Sequence, residues 1–198
     1  HLDGTKASTN DIFASYGEEK GEVSPEYKML ALAKYYDTKI KLEKISANKD
    51  PHKVIEQGIR ELKQSILDAK KSPNRIGWAL VQSYSILAKL LAATKDPRLE
   101  AEAVKITEML RSASDSKEPI TLMINGKAVE MPWVNASDGG AKYFRTSAAN
   151  TELQLLGEKE NLSPAESARA MALAEEILAS GSMADSYMTA ATRRIKAD

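Results

Sequence analysis

The sequence predicts a mainly α protein: an antiparallel up-and-down helical bundle with one β-hairpin insertion at about 119–134 and two to three further C-terminal helices. Three observations carry that expectation. Five of the seven prolines directly follow Ser or Asp, apolar residues recur at helical spacing behind four of those pairs, and one Asn-Gly dipeptide separates two runs of alternating character. The 198 residues are 42% hydrophobic and 28% charged, enough apolar material for a core and enough charge for a soluble surface.

The pairs Ser24-Pro25, Asp50-Pro51, Ser72-Pro73, Asp96-Pro97 and Ser163-Pro164 read as helix starts. A Ser or Asp oxygen accepts from the unpaired N–H groups of a first turn, and Pro at the first helical position lacks only an N–H that needs no partner there. The first four prolines lie 26, 22 and 24 residues apart. Each interval leaves room for a helix of about 18–20 residues and a short turn. Met29, Ala33, Tyr36 and Ile40 form a first stripe, Ile55, Ile59, Leu62 and Ile66 a second. Ile76, Leu80, Tyr84, Leu87 and Leu91 form a third, Leu99, Ala103, Ile106 and Leu110 a fourth. Such stripes pack a helix against its neighbours, and short connections make those neighbours antiparallel. Trp78, Val81, Ile86 and Leu90 surround the third helix with further apolar side chains, which predicts it as the most buried of the four.

Residues 119–134 switch to a period of two. Ile120, Leu122 and Ile124 alternate with Thr121 and Met123, and Val129 and Met131 follow Asn125-Gly126 at the same parity. Asn-Gly supplies the two positive φ angles of a tight hairpin turn, so Leu122 is expected opposite Val129 and Ile120 opposite Met131. The apolar face so formed is expected to cover an opening in the bundle, because a lone hairpin is marginal in water.

The remainder divides accordingly. Residues 1–22 read as a flexible acidic N-terminal arm, 23–118 as the four-helix bundle, 119–145 as the hairpin and a Gly-rich loop, and 146–198 as helices packing on the bundle or on a partner. Within the last segment a short helix is expected over 147–156, closed by Gly157. A second opens with the capping box Ser163-Pro164-Ala165-Glu166, and a third begins at Ser182. A chain that starts at His1 rather than Met reads as a processed product or one carrying a tag remnant. The most apolar window, residues 78–93, is interrupted by polar residues and shorter than the roughly 20 residues a bilayer requires.

Charge is uneven beneath a net of zero. Residues 23–95 hold 14 basic and 7 acidic side chains, a surplus of seven, whereas the arm, 96–118 and 119–198 are acidic by three, two and two. The basic block, with Lys70, Lys71 and Arg75 clustered at one turn, suits either solvated helix faces or an anion-binding surface.

Chemistry has little material. With no cysteine, thiolate metal sites and Cys nucleophiles are excluded, and His52 has no partner nucleophile at a usable spacing. The adjacent pair Glu175-Glu176 and the near neighbours Glu100 and Glu102 diverge around their helices and read as solvated surface. Asp138-Gly139-Gly140 with Lys142 and Arg145 resembles a loop that could bring backbone N–H groups to an anion, without the spacing of a P-loop. Trp133, Tyr143 and Phe144 flank it, a composition favoured at contact surfaces.

These observations point to a non-enzymatic structural or protein-interaction subunit that needs no cofactor or metal, of the kind found in viral or secretion-related assemblies. Its partner would be another protein or a second copy. Trp133, Asp138, Tyr143 and Phe144 are the candidate contact residues. The alternative is a nucleic-acid- or anion-binding protein using 23–95, with Lys70, Lys71, Arg75, Lys142 and Arg145 as the candidate residues.

Overall fold

The computed structural model describes residues 25–45, 51–70, 77–112, 119–132, 141–159 and 161–180. Helices α1 (Pro25–Ile45), α2 (His52–Ala69), α3 (Gly77–Ala93) and α4 (Pro97–Ser112) precede a hairpin of β1 (Thr121–Ile124) and β2 (Lys127–Glu130), and α5 (Ala141–Gly157) and α6 (Pro164–Ala179) follow it. The expected fold class is therefore observed. The expected arm over 1–22, the expected helix from Ser182 and the pair Ser72-Pro73 lie outside the described residues.

Helix α3 is the hub. It packs against α1 and α2 on one side and against α4 and α5 on the other, so two three-helix groups share it. Its composition explains the position: Leu80, Val81, Tyr84, Ile86, Leu87, Leu90 and Leu91 are all buried, spread around the whole circumference. Trp78 departs from expectation, for it remains 37% exposed in the first turn. Only three residues, Thr94-Lys95-Asp96, join α3 to α4. Lys95 takes the left-handed conformation at φ 57°, and the Asp96 Oδ1 accepts from the Arg98 N–H at 2.8 Å to cap α4.

The first three helices approach closely at Gly58 of α2. A Cβ there would stand 2.9 Å from the Tyr36 ring of α1 and 3.2 Å from Leu90 of α3. A helix-interior glycine costs about 1 kcal/mol relative to alanine. Here it leaves room for an aromatic ring, whose hydroxyl donates to Glu61 Oε2 at 2.7 Å.

The hairpin has the expected register. Leu122 faces Val129, the Met131 N–H donates to the Ile120 carbonyl at 2.8 Å, and Asn125 and Gly126 take φ of 51° and 76°. Leu122, Ile124 and Met131 are buried in the main core beside the bundle helices, while Thr121, Met123 and Glu130 face outward. Just past β2, the buried Tyr84 hydroxyl donates to the Pro132 carbonyl.

Helix α5 begins at Ala141, six residues before the expected start, which corrects the loop expected over 135–145 for its last five residues. The reason is a stripe that starts early: Phe144, Ala148 and Thr151 are buried at steps of four and three, and Leu155 packs on the same core. The opposite side of α5 builds a second, smaller core. Ala149, Leu153 and Leu156 meet Ala170, Leu173, Ala174 and Ile177 of α6 there. The capping box is present in full: the Glu166 N–H donates to Ser163 Oγ and the Ser163 N–H donates to Glu166 Oε2, at 3.3 and 2.9 Å.

Candidate functional site

Two charged constellations stand out once the helices are packed. The first is buried. Lys63 of α2 and Glu102 of α4 form an ion pair with side chains 4% and 9% exposed. The Lys63 ammonium also donates to the Met123 carbonyl at 2.8 Å, and Glu102 Oε1 accepts from the Met123 N–H at 2.7 Å. Both outward-facing backbone groups of one β1 residue are thus satisfied by side chains, as a neighbouring strand would satisfy them. Glu102 is therefore not the solvated surface residue its spacing suggested. Thirty-nine residues separate the partners, so no local pattern signals the pair. It is a structural clamp that ties the hairpin across α2 and α4.

The second constellation surrounds an open cleft of about 320 Å³ between α4, α5 and α6. Val104, Thr107, Glu108 and Arg111 share one face of α4 at steps of three, one and three, and Glu152, Leu155, Leu156 and Lys159 repeat the same spacing on and just after α5. Arg169 closes the rim from α6. The floor is apolar, and Val104 is 52% exposed on it.

Three of the rim charges, Arg111, Glu152 and Arg169, are paired with one another. Arg169 grips Glu152 through two bonds of 2.7 Å, and Arg111 reaches the same carboxylate at 3.1 Å and Glu176 at 3.1 and 3.2 Å. Burial pushes the Glu152 carboxyl upward, but the hydrogen bond and charge of Arg169, reinforced by Arg111, hold it below the usual carboxylate range. The bond to Glu152 in turn raises Arg169 further. Lys159 donates to Glu166 at 2.5 Å. That bond, followed by those from Ser163, holds Glu166 at about 2. Glu176, like Glu102, is engaged rather than simply solvated.

The residues singled out from sequence distribute differently. Trp133, Asp138, Lys71 and Arg75 lie outside the described residues. Lys142 and Tyr143 sit in the first turn of α5, with Arg145 exposed on the next. Phe144 is fully buried in the chain's own core, so it offers no surface to a partner. Lys70 is exposed and pairs with Glu130 of β2 at 3.1 Å, which neutralises one member of the basic cluster. His52 is exposed at the start of α2. The structure does not gather these positions into one site among the described residues. The cleft uses Arg111, Glu152 and Arg169 instead; their spacing on separate helices gives no sequence signal, although the stripe on each helix does.

Among the described residues no group of three His, Cys, Asp or Glu side chains could hold a metal ion, and no helix is long and apolar enough to cross a membrane. Neither a family model, nor a curated protein, nor a solved structure matches the chain.

Proposed function

We propose that this protein is a helical structural or protein-interaction subunit and that it makes contacts through the cleft between α4, α5 and α6. The observation that supports this is the form of the cleft: an apolar floor of exposed Val104 and half-buried Leu155 and Leu156, with Arg111, Glu152 and Arg169 already held together at its rim. An apolar centre with a polar rim is the usual anatomy of a protein contact. Pre-paired rim charges are held in place before a partner arrives, which lowers the ordering cost of association. The same reading includes the segment around Trp133 and Asp138, between the hairpin and α5.

The test is cross-linking mass spectrometry on the chain in its source cells, alongside light scattering of the purified protein over a concentration series. Intermolecular links at 104–111 and 152–169 that disappear in Val104→Asp, while far-UV circular dichroism is unchanged, support the proposal. A Trp133→Ala variant reports on the segment after the hairpin in the same way. A monomer at every concentration with no such link removes the proposal. Retention on nucleic acid that weakens steeply with salt points instead to the basic segment 23–95.

A further inference from the structure

We infer that the segment of another protein received by the cleft between α4, α5 and α6 is amphipathic and basic: an aliphatic side chain seated on the apolar floor, with a Lys or Arg about one helical turn away that meets Glu108. This rests on the interaction role proposed above and supplies the chemistry of the partner.

The charges around the cleft set its preference. The lining cations Arg111, Lys159 and Arg169 are each engaged by a carboxylate: Arg111 by Glu152 and Glu176, Arg169 by Glu152, and Lys159 by Glu166. An anionic occupant would have to displace one of these carboxylates, losing a charge-assisted hydrogen bond for each one it forms. The Thr107 hydroxyl is used within α4, where it donates to the Ala103 carbonyl at 3.1 Å. Glu108 differs from its neighbours. It lines the cleft and is exposed, and its carboxylate makes no ion pair or hydrogen bond among the described residues. Lys105, three residues before it on α4, does not line the cleft and makes no pair with it. The unanswered charge of the cleft is therefore negative.

Spacing completes the match. Val104 and Glu108 are four residues apart on α4 and so share one face, with Cβ atoms about 5–6 Å apart. Val104 is 52% exposed, and the half-buried Leu155 and Leu156 complete the floor. An aliphatic side chain over Val104 and a cation over Glu108 are what an amphipathic helix presents at positions i and i+4. Burial on the floor supplies affinity, and Glu108 selects the sign of the partner.

The experiment titrates the full chain with three probes of equal alkyl length, hexylammonium, hexanol and hexanoate, and follows the backbone amide signals of Val104, Leu155 and Leu156 by NMR. The alkyl group is common to all three, so their order reads the charge alone. Hexylammonium should bind about two- to fivefold more tightly than hexanol, as one exposed ion pair allows, and hexanoate most weakly. That advantage should disappear in about 1 M NaCl. It should also disappear in Glu108→Gln, with hexanol binding and far-UV circular dichroism unchanged. Absence of binding at these residues, equal binding of the three probes, hexanoate binding most tightly, or an unchanged order in Glu108→Gln overturns the inference. Intermolecular cross-links at 104–111 found alongside any of those results leave the broader interaction role standing without it. The expected order with no intermolecular cross-link also overturns the inference, because the occupant is then a small cation and not a protein segment.

Discussion

Lys63 and Glu102, on two helices of the bundle, together satisfy both free backbone groups of Met123, so a single ion pair substitutes for a missing β-strand. The arrangement predicts strong coupling. Removing one partner leaves a buried charge and an unpaired strand group, and Lys63→Met or Glu102→Leu alone should cost about 3–5 kcal/mol. The double variant should cost clearly less than the two combined, because no charge is stranded. Urea unfolding of all four proteins measures the cycle; additive losses would show that the two groups act independently.

Gly58 tests how tightly α1, α2 and α3 are packed. Alanine would gain about 1 kcal/mol of helix propensity on an exposed face. In this position the added methyl meets the Tyr36 ring and Leu90, and the overpacking should win, with a net loss of about 1–3 kcal/mol. A lowered urea midpoint at constant m-value is the expected result.

Two hydroxyls set an alkaline limit. Burial raises the Tyr84 hydroxyl well above its ordinary 10.0, and burial followed by the hydrogen bond to Glu61 raises that of Tyr36. A phenol whose folded value is raised keeps its proton in the folded state after the unfolded chain has lost it. Its contribution is complete below pH 10.0 and declines as the pH climbs above that value. Absorbance at 295 nm should show these two tyrosines ionising together with unfolding rather than before it.

Acid should act first on α6. Glu152 and Glu166 are both held below the ordinary 4.5, so their stabilisation is complete above that pH and declines as the pH falls, for Glu166 toward about 2. Hydrogen exchange at pH 2.5 should therefore show lost protection across 164–179 while α3 stays protected. Glu166→Gln should lessen the difference between pH 5 and pH 2.5.

Much of this architecture is written locally. Asp96-Pro97 and Ser163-Pro164 mark helix starts through groups that act within one turn, and Asn125-Gly126 sets its register through two backbone angles. The early start of α5 was obscured because Gly139-Gly140 is a strong local breaker, whereas Phe144 is drawn into helix by burial against distant residues. The clamp and the cleft were illegible for the same reason. Lys63, Glu102, Arg111, Glu152 and Arg169 are ordinary surface residues by local pattern, and only the packing of separate helices brings them together. Trp78 reads as core by hydropathy but lies in the first turn of α3, at the end of the packed region.

The shared helix α3 also governs how this sequence can drift. A residue on α1 or α6 answers to one set of neighbours, so a change in its volume can be offset by one reciprocal change nearby. Leu87 and Leu91 stand in a helix bounded on both sides by other helices, and few positions along it open to solvent. Enlarging or shrinking α3 must be accommodated by two groups of helices at once. Homologues of this protein should therefore diverge fastest at the two flanks and slowest along this single inner segment.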